Sequence, residues 1–157
     1  MHINRILFRI LAKITKYMFN TSISLETLNS MSKNTMIDHL GIEFTEIQSG
    51  YLKAKMPVDH RTIQPMGLLH GGASVVLAET LGSVAVVLAV KDPMKETGVG
   101  VEINANHLKS ARSGFVIGTC VPLRIGRTIH VYEIKIHDEE ENLICASRLT
   151  VAIIPIK

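Results

Sequence analysis

Tryptophan is absent from the 157-residue chain, and aromatic residues make up only 4% of it. The stacking platforms on which single-stranded nucleic acids are held are therefore missing. Cysteine is scarce too. Cys120 and Cys145 stand in no C-x-x-C or other metal-ligand spacing, which excludes a disulfide framework and fits a reducing cytoplasm. No acid precedes Glu26, whereas Arg5, Arg9, Lys13 and Lys16 do. Those four account for the net charge of +3, since the other 13 basic residues face 14 acids. The body of the chain is close to neutral and lacks the basic face of a polynucleotide binder, so no nucleic-acid partner is expected.

What is present begins with a basic amphipathic segment over residues 1–22, with Ile3, Ile6, Leu7, Ile10, Leu11 and Ile14 at helical spacing and the cations between them. Arg9 and Lys13 interrupt the apolar run, which makes it a poor secretory signal. It reads as a surface extension, with contact to a membrane the less favoured alternative. Residues 23–157 suit one domain, long enough to bury about two-thirds of its extended-state surface.

Ser24 is placed to cap a short helix, with Glu26 in its first turn and Leu25 and Leu28 facing inward. Strand patterns follow at Gly41 to Ile47 and Tyr51 to Val58, on either side of the turn Gln48-Ser49-Gly50, with Leu52, Ala54, Met56 and Val58 alternating with Lys53 and Lys55. A turn-rich loop from Asp59 to Leu69 leads into Gly71 to Val90, where Glu79 is the only charge. That run could span a bilayer, but three glycines, two serines, a threonine and a central carboxylate point to a helix wrapped by its own protein. Four more strands are expected at Val99 to Leu108, Phe115 to Arg124, Thr128 to Asp138 and Asn142 to Ile154, with Val99, Val101, Ile103, Ala105 and His107 sharing one face of the first. The sum is an α+β fold, an antiparallel sheet of five to six strands curled around a long central helix.

A lone carboxylate in an apolar helix is costly unless it is used or satisfied. Glu79 is therefore a candidate catalytic acid, with a locally hydrogen-bonded or protonated core glutamate as the alternative. Ser83 lies four residues on, on the same face, and Gly82 leaves room there for a ligand. At the helix start, His70-Gly71-Gly72 presents backbone N–H groups that have no intrahelical acceptor. With the helix dipole behind it, the Gly71 N–H suits the oxyanion formed when a thioester is attacked. Gln64 can donate a second hydrogen bond from the preceding loop, and His70 can orient that loop. Eight residues separate Gly71 from Glu79, about 12 Å along a helix. One thioester reaches both only if two subunits set these helices antiparallel in a twofold dimer.

The stretch Gln64-Pro65-Met66-Gly67-Leu68-Leu69-His70-Gly71-Gly72-Ala73-Ser74, followed by Leu77-Ala78-Glu79-Thr80-Leu81-Gly82-Ser83, resembles the hotdog thioesterases of the phenylacetate-related superfamily. Glu102-Ile103-Asn104-Ala105-Asn106-His107 and Ser147-Arg148-Leu149-Thr150 add to the likeness, which covers the chain from about residue 24 onward. The resemblance implies hydrolysis of acyl-CoA thioesters, aromatic ones of the 1,4-dihydroxy-2-naphthoyl or hydroxybenzoyl type, without a cofactor or metal. It casts Glu79 as nucleophile or general base, Gly71 and Gln64 on the thioester carbonyl, and His70 and Ser83 as supporting polar groups. It also implies a homodimer that pairs into a dimer of dimers. His107, Lys109 and Ser110 match the edge at which such enzymes hold CoA, and Arg112, Gly126 and Arg127 are the further expected contacts, in a segment whose sole acid between Thr97 and Tyr132 is Glu102. Two other readings use the same scaffold: a dehydratase, which needs a histidine and an acid set to move a proton from carbon, and a non-catalytic acyl-CoA sensor, for which an acid in the pocket has no purpose.

Overall fold

The computed structural model describes residues 19–156; the amphipathic run from Ile3 to Ile14, and the membrane contact it suggests, lie outside them. Residues 19–22 were counted with that extension, yet Phe19 is 4% exposed, its ring packs 6.4 Å from that of Tyr132, and its N–H donates to the Ser49 carbonyl. The Asn20 N–H donates to the Leu88 carbonyl. The folded body therefore begins by Phe19, ahead of the expected boundary.

Helix α1 spans Leu25–Met31, with the Ser24 hydroxyl accepting from the Thr27 N–H and Leu28 buried. A second short helix, α2, Met36–His39, was not expected. The Thr35 hydroxyl caps it by accepting from the Ile37 N–H, and the Asp38 carboxylate accepts from the Asn34 N–H. Four residues are too few for hydrophobic periodicity to reveal.

Six strands follow around one long helix: β1 Glu43–Gln48, β2 Tyr51–Pro57, α3 Gly71–Ala89, β3 Glu96–His107, β4 Phe115–Ile125, β5 Ile129–Asp138 and β6 Leu143–Pro155. They form one sheet in the order β1-β2-β4-β5-β6-β3, every pair antiparallel, so β3 is an edge strand. Helix α3 lies across one face and touches β2 through β6. This is the helix-wrapped antiparallel sheet that the sequence leads one to expect.

The core sits between α3 and that face. Leu52, Ala54, Met56, Val116, Ile134, Ile136 and Leu149 of the sheet and Leu77, Ala78, Leu81 and Ala85 of the helix are fully buried, each large aliphatic side chain contributing roughly 1.5–3 kcal/mol of transfer free energy. Two glycines let the backbones close. A β-carbon at Gly82 would strike Leu149, and one at Gly118 would strike Leu81. Gly82 is thus spent on packing against the sheet, and it does not provide the ligand space expected of it.

A second correction concerns β3. Gly100 pairs with Val151 and Glu102 with Thr150, which leaves Val101 as an extra residue in a bulge. The bulge shifts the phase of the strand. Before it, Gly98 and Gly100 face the helix, where β-carbons would meet Val86 and Glu79; after it, Ile103 and Ala105 pack on the core. Val99 and Val101, 48% and 62% exposed, do not share a face with them.

Candidate active site

Helix α3 is not wrapped on every side. Val75, Val76, Glu79, Ser83 and Val87 lie outside its buried set, at spacings of three and four that make one open stripe. Glu79 sits where this stripe meets β3, with its carboxylate against the Cα of Gly100. Among the described residues it has no hydrogen-bond or ion-pair partner, and burial alone pushes its carboxyl above the ordinary glutamate value. The locally satisfied glutamate considered from the sequence is therefore not what the fold contains. Ser83 is exposed and makes no hydrogen bond to Glu79.

The start of α3 is arranged around one free donor. The His70 Nδ1 accepts from the Gly72 N–H at 2.8 Å, and the His70 carbonyl accepts from Ala73 and Ser74. Among the described residues the Gly71 N–H alone of that turn has no acceptor. Because Nδ1 accepts, the ring hydrogen of neutral His70 is on Nε2. Gln64 lies in the loop ahead, its Oε1 accepting from the Met66 N–H, so Nε2 is the end left to donate. The imidazole of His107 stands over Gly71, where a β-carbon would lie 2.7 Å from Nε2.

A cleft of about 410 Å³ brings Gln64, His70, Gly71, His107, Lys109 and Ser110 together over Leu68, Leu69 and Ile144. Glu79 and Ser83 do not line it. The eight-residue separation thus holds in three dimensions: one chain has the donor in a cleft at the helix start and the acid on an open stripe two turns further on.

These features can be set beside known proteins. A model of the thioesterase superfamily matches residues 66–145. The 1,4-dihydroxy-2-naphthoyl-CoA hydrolase of Escherichia coli is 54% identical over 132 residues, covering 84% of this chain and 96% of that one. The proofreading thioesterase EntH of Cronobacter turicensis is 49% identical over 130 residues, covering 83% and 93%. The solved structure of a thioesterase from Haemophilus influenzae matches with a TM-score of 0.84 at 46% identity, over 88% of this chain and 95% of that one.

The chain belongs to the thioesterase superfamily. It is an enzyme with the hotdog fold, and among the described residues α3 carries a backbone N–H without an acceptor at Gly71 and a carboxylate without a partner at Glu79. The residues expected to hold a CoA tail are divided. Lys109 and Ser110 line the cleft beside Gly71 and also an adjoining groove of about 320 Å³ that contains Arg112. Gly126 and Arg127 lie in the β4–β5 hairpin beside Ile129, which pairs with Ala152, whereas His107 pairs with Cys145 at the other end of β6. Within one protomer those two residues and Lys109 thus lie toward opposite ends of β6.

Sequence reasoning missed Gly100, whose missing side chain admits the Glu79 carboxylate. The signal was there in Gly98-Val99-Gly100, a glycine pair inside a strand pattern, which marks a close approach. It also placed His107 only at the CoA edge, while its ring stands over the Gly71 backbone.

Proposed function

We propose that this thioesterase hydrolyses aromatic acyl-CoA thioesters in sites shared between two protomers. The observation that carries this reading is the division of labour along α3: among the described residues, a Gly71 N–H with no acceptor and a Glu79 carboxylate with no partner, too far apart to meet one carbonyl in one chain. An antiparallel pairing of the open stripes about a twofold axis places Gly71 and Gln64 of one protomer opposite Glu79 of its partner. Exposed Val99 and Val101 on edge strand β3 give that pairing an apolar flank.

In such a site the thioester oxygen takes hydrogen bonds from the Gly71 N–H and from the Gln64 Nε2, aided by the positive end of the α3 dipole. Glu79 either takes a proton from water as its oxygen adds to the carbonyl carbon, or adds itself and is released by water in a second step. In both routes the C–S bond breaks on collapse, the sulfur leaves as thiolate and gains a proton, and acid and CoA are the products. The route draws only on water and this chain, so we propose no cofactor or metal. His70 serves by occupying the Gly72 N–H, which leaves Gly71 as the free donor. Lys109, Ser110 and Arg112 of one protomer hold the phosphates of CoA, with Gly126 and Arg127 supplied by another, and a dimer of dimers in the cytoplasm is the assembly we expect. The naphthoyl-CoA substrate of the Escherichia coli hydrolase compared above supports the aryl class.

The test is a panel of hydroxybenzoyl, naphthoyl, phenylacetyl and straight-chain CoA thioesters with the purified protein and with Glu79→Ala. Aryl substrates should lead, and Glu79→Ala should lose turnover while keeping its fold. A preference for palmitoyl-CoA overturns the substrate class; an active Glu79→Ala overturns the mechanism.

A further inference from the structure

Two donors can grip one carbonyl oxygen only if their separation is fixed, and Gln64 belongs to a loop while Gly71 opens a helix. Thr62, 1% exposed, ties the two together. Its hydroxyl donates to the Pro57 carbonyl at the end of β2, at 2.7 Å, and accepts from the Asp59 N–H at 3.1 Å. Its backbone carbonyl accepts from the His70 N–H at 2.8 Å, one residue before Gly71. Beyond Thr62 the chain forms a small hairpin: Ile63 pairs with Leu69, the Gln64 N–H donates to the Leu68 carbonyl, and the Gly67 N–H donates back to the Gln64 carbonyl. Gln64 thus rides on a hairpin whose base is the Thr62 hydroxyl on one side and the α3 start on the other.

We infer that Thr62 is a positioning residue for hydrolysis, its hydroxyl setting the separation between the Gln64 amide and the Gly71 N–H. The inference rests on the reading of those two groups as the carbonyl grip. Replacing the hydroxyl with a methyl leaves the Pro57 carbonyl and the Asp59 N–H unpaired in a dry place, a penalty relieved when the hairpin shifts and lets water in. Such a shift carries Gln64 with it, and a misplacement of about 1 Å is worth on the order of a hundredfold in rate.

The experiment measures kcat and KM of the full chain on the acyl-CoA that the wild type turns over fastest, for Thr62→Val, Thr62→Ser, Gln64→Ala and the double variant. Ser147→Ala serves as a control: a buried hydroxyl remote from the loop, donating to the Asn104 carbonyl at 2.7 Å. Thr62→Val should lower kcat by about thirtyfold or more with KM within about threefold, and Thr62→Ser, which keeps the hydroxyl, should stay within about threefold of wild type. In the Gln64→Ala background only one donor is left to place, so Thr62→Val should take away no more than about a further threefold. Should Thr62→Val not fold, Thr62→Cys, with its weak donor, should fall between Ser and Val. Unchanged kcat in Thr62→Val, full multiplication of the two losses, or an equal loss in Ser147→Ala at matched melting temperature overturns the inference. A fully active Gln64→Ala instead overturns the reading on which it rests.

Discussion

A single methyl group at Gly100 should silence the enzyme while leaving its fold intact. A β-carbon there would strike the Glu79 carboxylate and nothing else nearby. The backbone does not demand glycine, since the glycines with positive φ are Gly41, Gly67 and Gly114. Alanine at Gly100 therefore meets only the far end of a flexible side chain, which can swing aside at little cost in stability. Glycine to alanine at an unstrained position even stabilises by about 0.4–1 kcal/mol through the unfolded chain. Turnover should respond differently. To clear a methyl group the carboxylate must retreat by about 1 Å, and a displacement of that size costs on the order of a hundredfold, or about 2.7 kcal/mol of transition-state stabilisation. The informative control is Gly98→Ala, two residues earlier on the same face, where a β-carbon would lie 2.7 Å from Val151 and 2.9 Å from Val86. That overpacking costs roughly 1–3 kcal/mol of stability but leaves Glu79 free, so a lower melting temperature with near-normal kcat is expected. Steady-state kinetics and thermal melts of both variants decide the matter. Gly100→Ala with kcat within threefold of wild type would show that the observed seat of the carboxylate is not the one used in catalysis.

Three further outcomes follow from the same geometry. Burial raises the Glu79 carboxyl above its reference value of 4.5, so the acid limb of kcat/KM should have its midpoint above 4.5 and vanish in no variant that retains the acid; a limb at or below the reference value contradicts the unpartnered site. The same shift has a sign for stability. A carboxyl raised in the folded state binds its proton more tightly there, so ionising it as pH rises through the folded value removes stability; Glu79→Gln should therefore gain on wild type in denaturation midpoint near pH 8, an advantage that fades below the reference value of the acid. Finally, Glu79→Ala and Gln64→Ala chains, refolded together in equal amounts, should exceed the mean of their separate activities by about a quarter of wild-type activity, since half of the dimers are mixed and each mixed dimer regenerates one intact site of two. No such excess means that each protomer carries its own complete site.

Much of this was legible in the sequence because the signals were local. A capping serine at Ser24, a hairpin turn at Gln48-Ser49-Gly50 and a solitary acid in a twenty-residue apolar run each specify their neighbourhood directly. Helix α2 escaped because its Thr35 and Asp38 caps bracket only four residues. The bulge at Val101 escaped for a different reason: alternation along β3 looks unbroken in the sequence, and only pairing with β6 shows that two residues oppose one. Gly82 was misread because space beside a helical glycine looks the same from the sequence whether a ligand or Leu149 fills it.

The apolar run itself carries the deeper lesson. A helix greasy all round reads as one enclosed by its own chain, yet Val75, Glu79 and Val87 are only half-buried and Ser83 is exposed, on a side that the sheet covers incompletely. An uncovered apolar stripe is costly in water unless another surface meets it, and an unpaired carboxylate in the middle of it is costlier still unless that surface has something to offer the acid. The Gly71 cleft of a second copy offers a polarised carbonyl carbon when substrate is bound. In the proposed pairing one twofold contact would relieve both burdens, and the feature that looks wasteful in the single chain would become the reason for pairing.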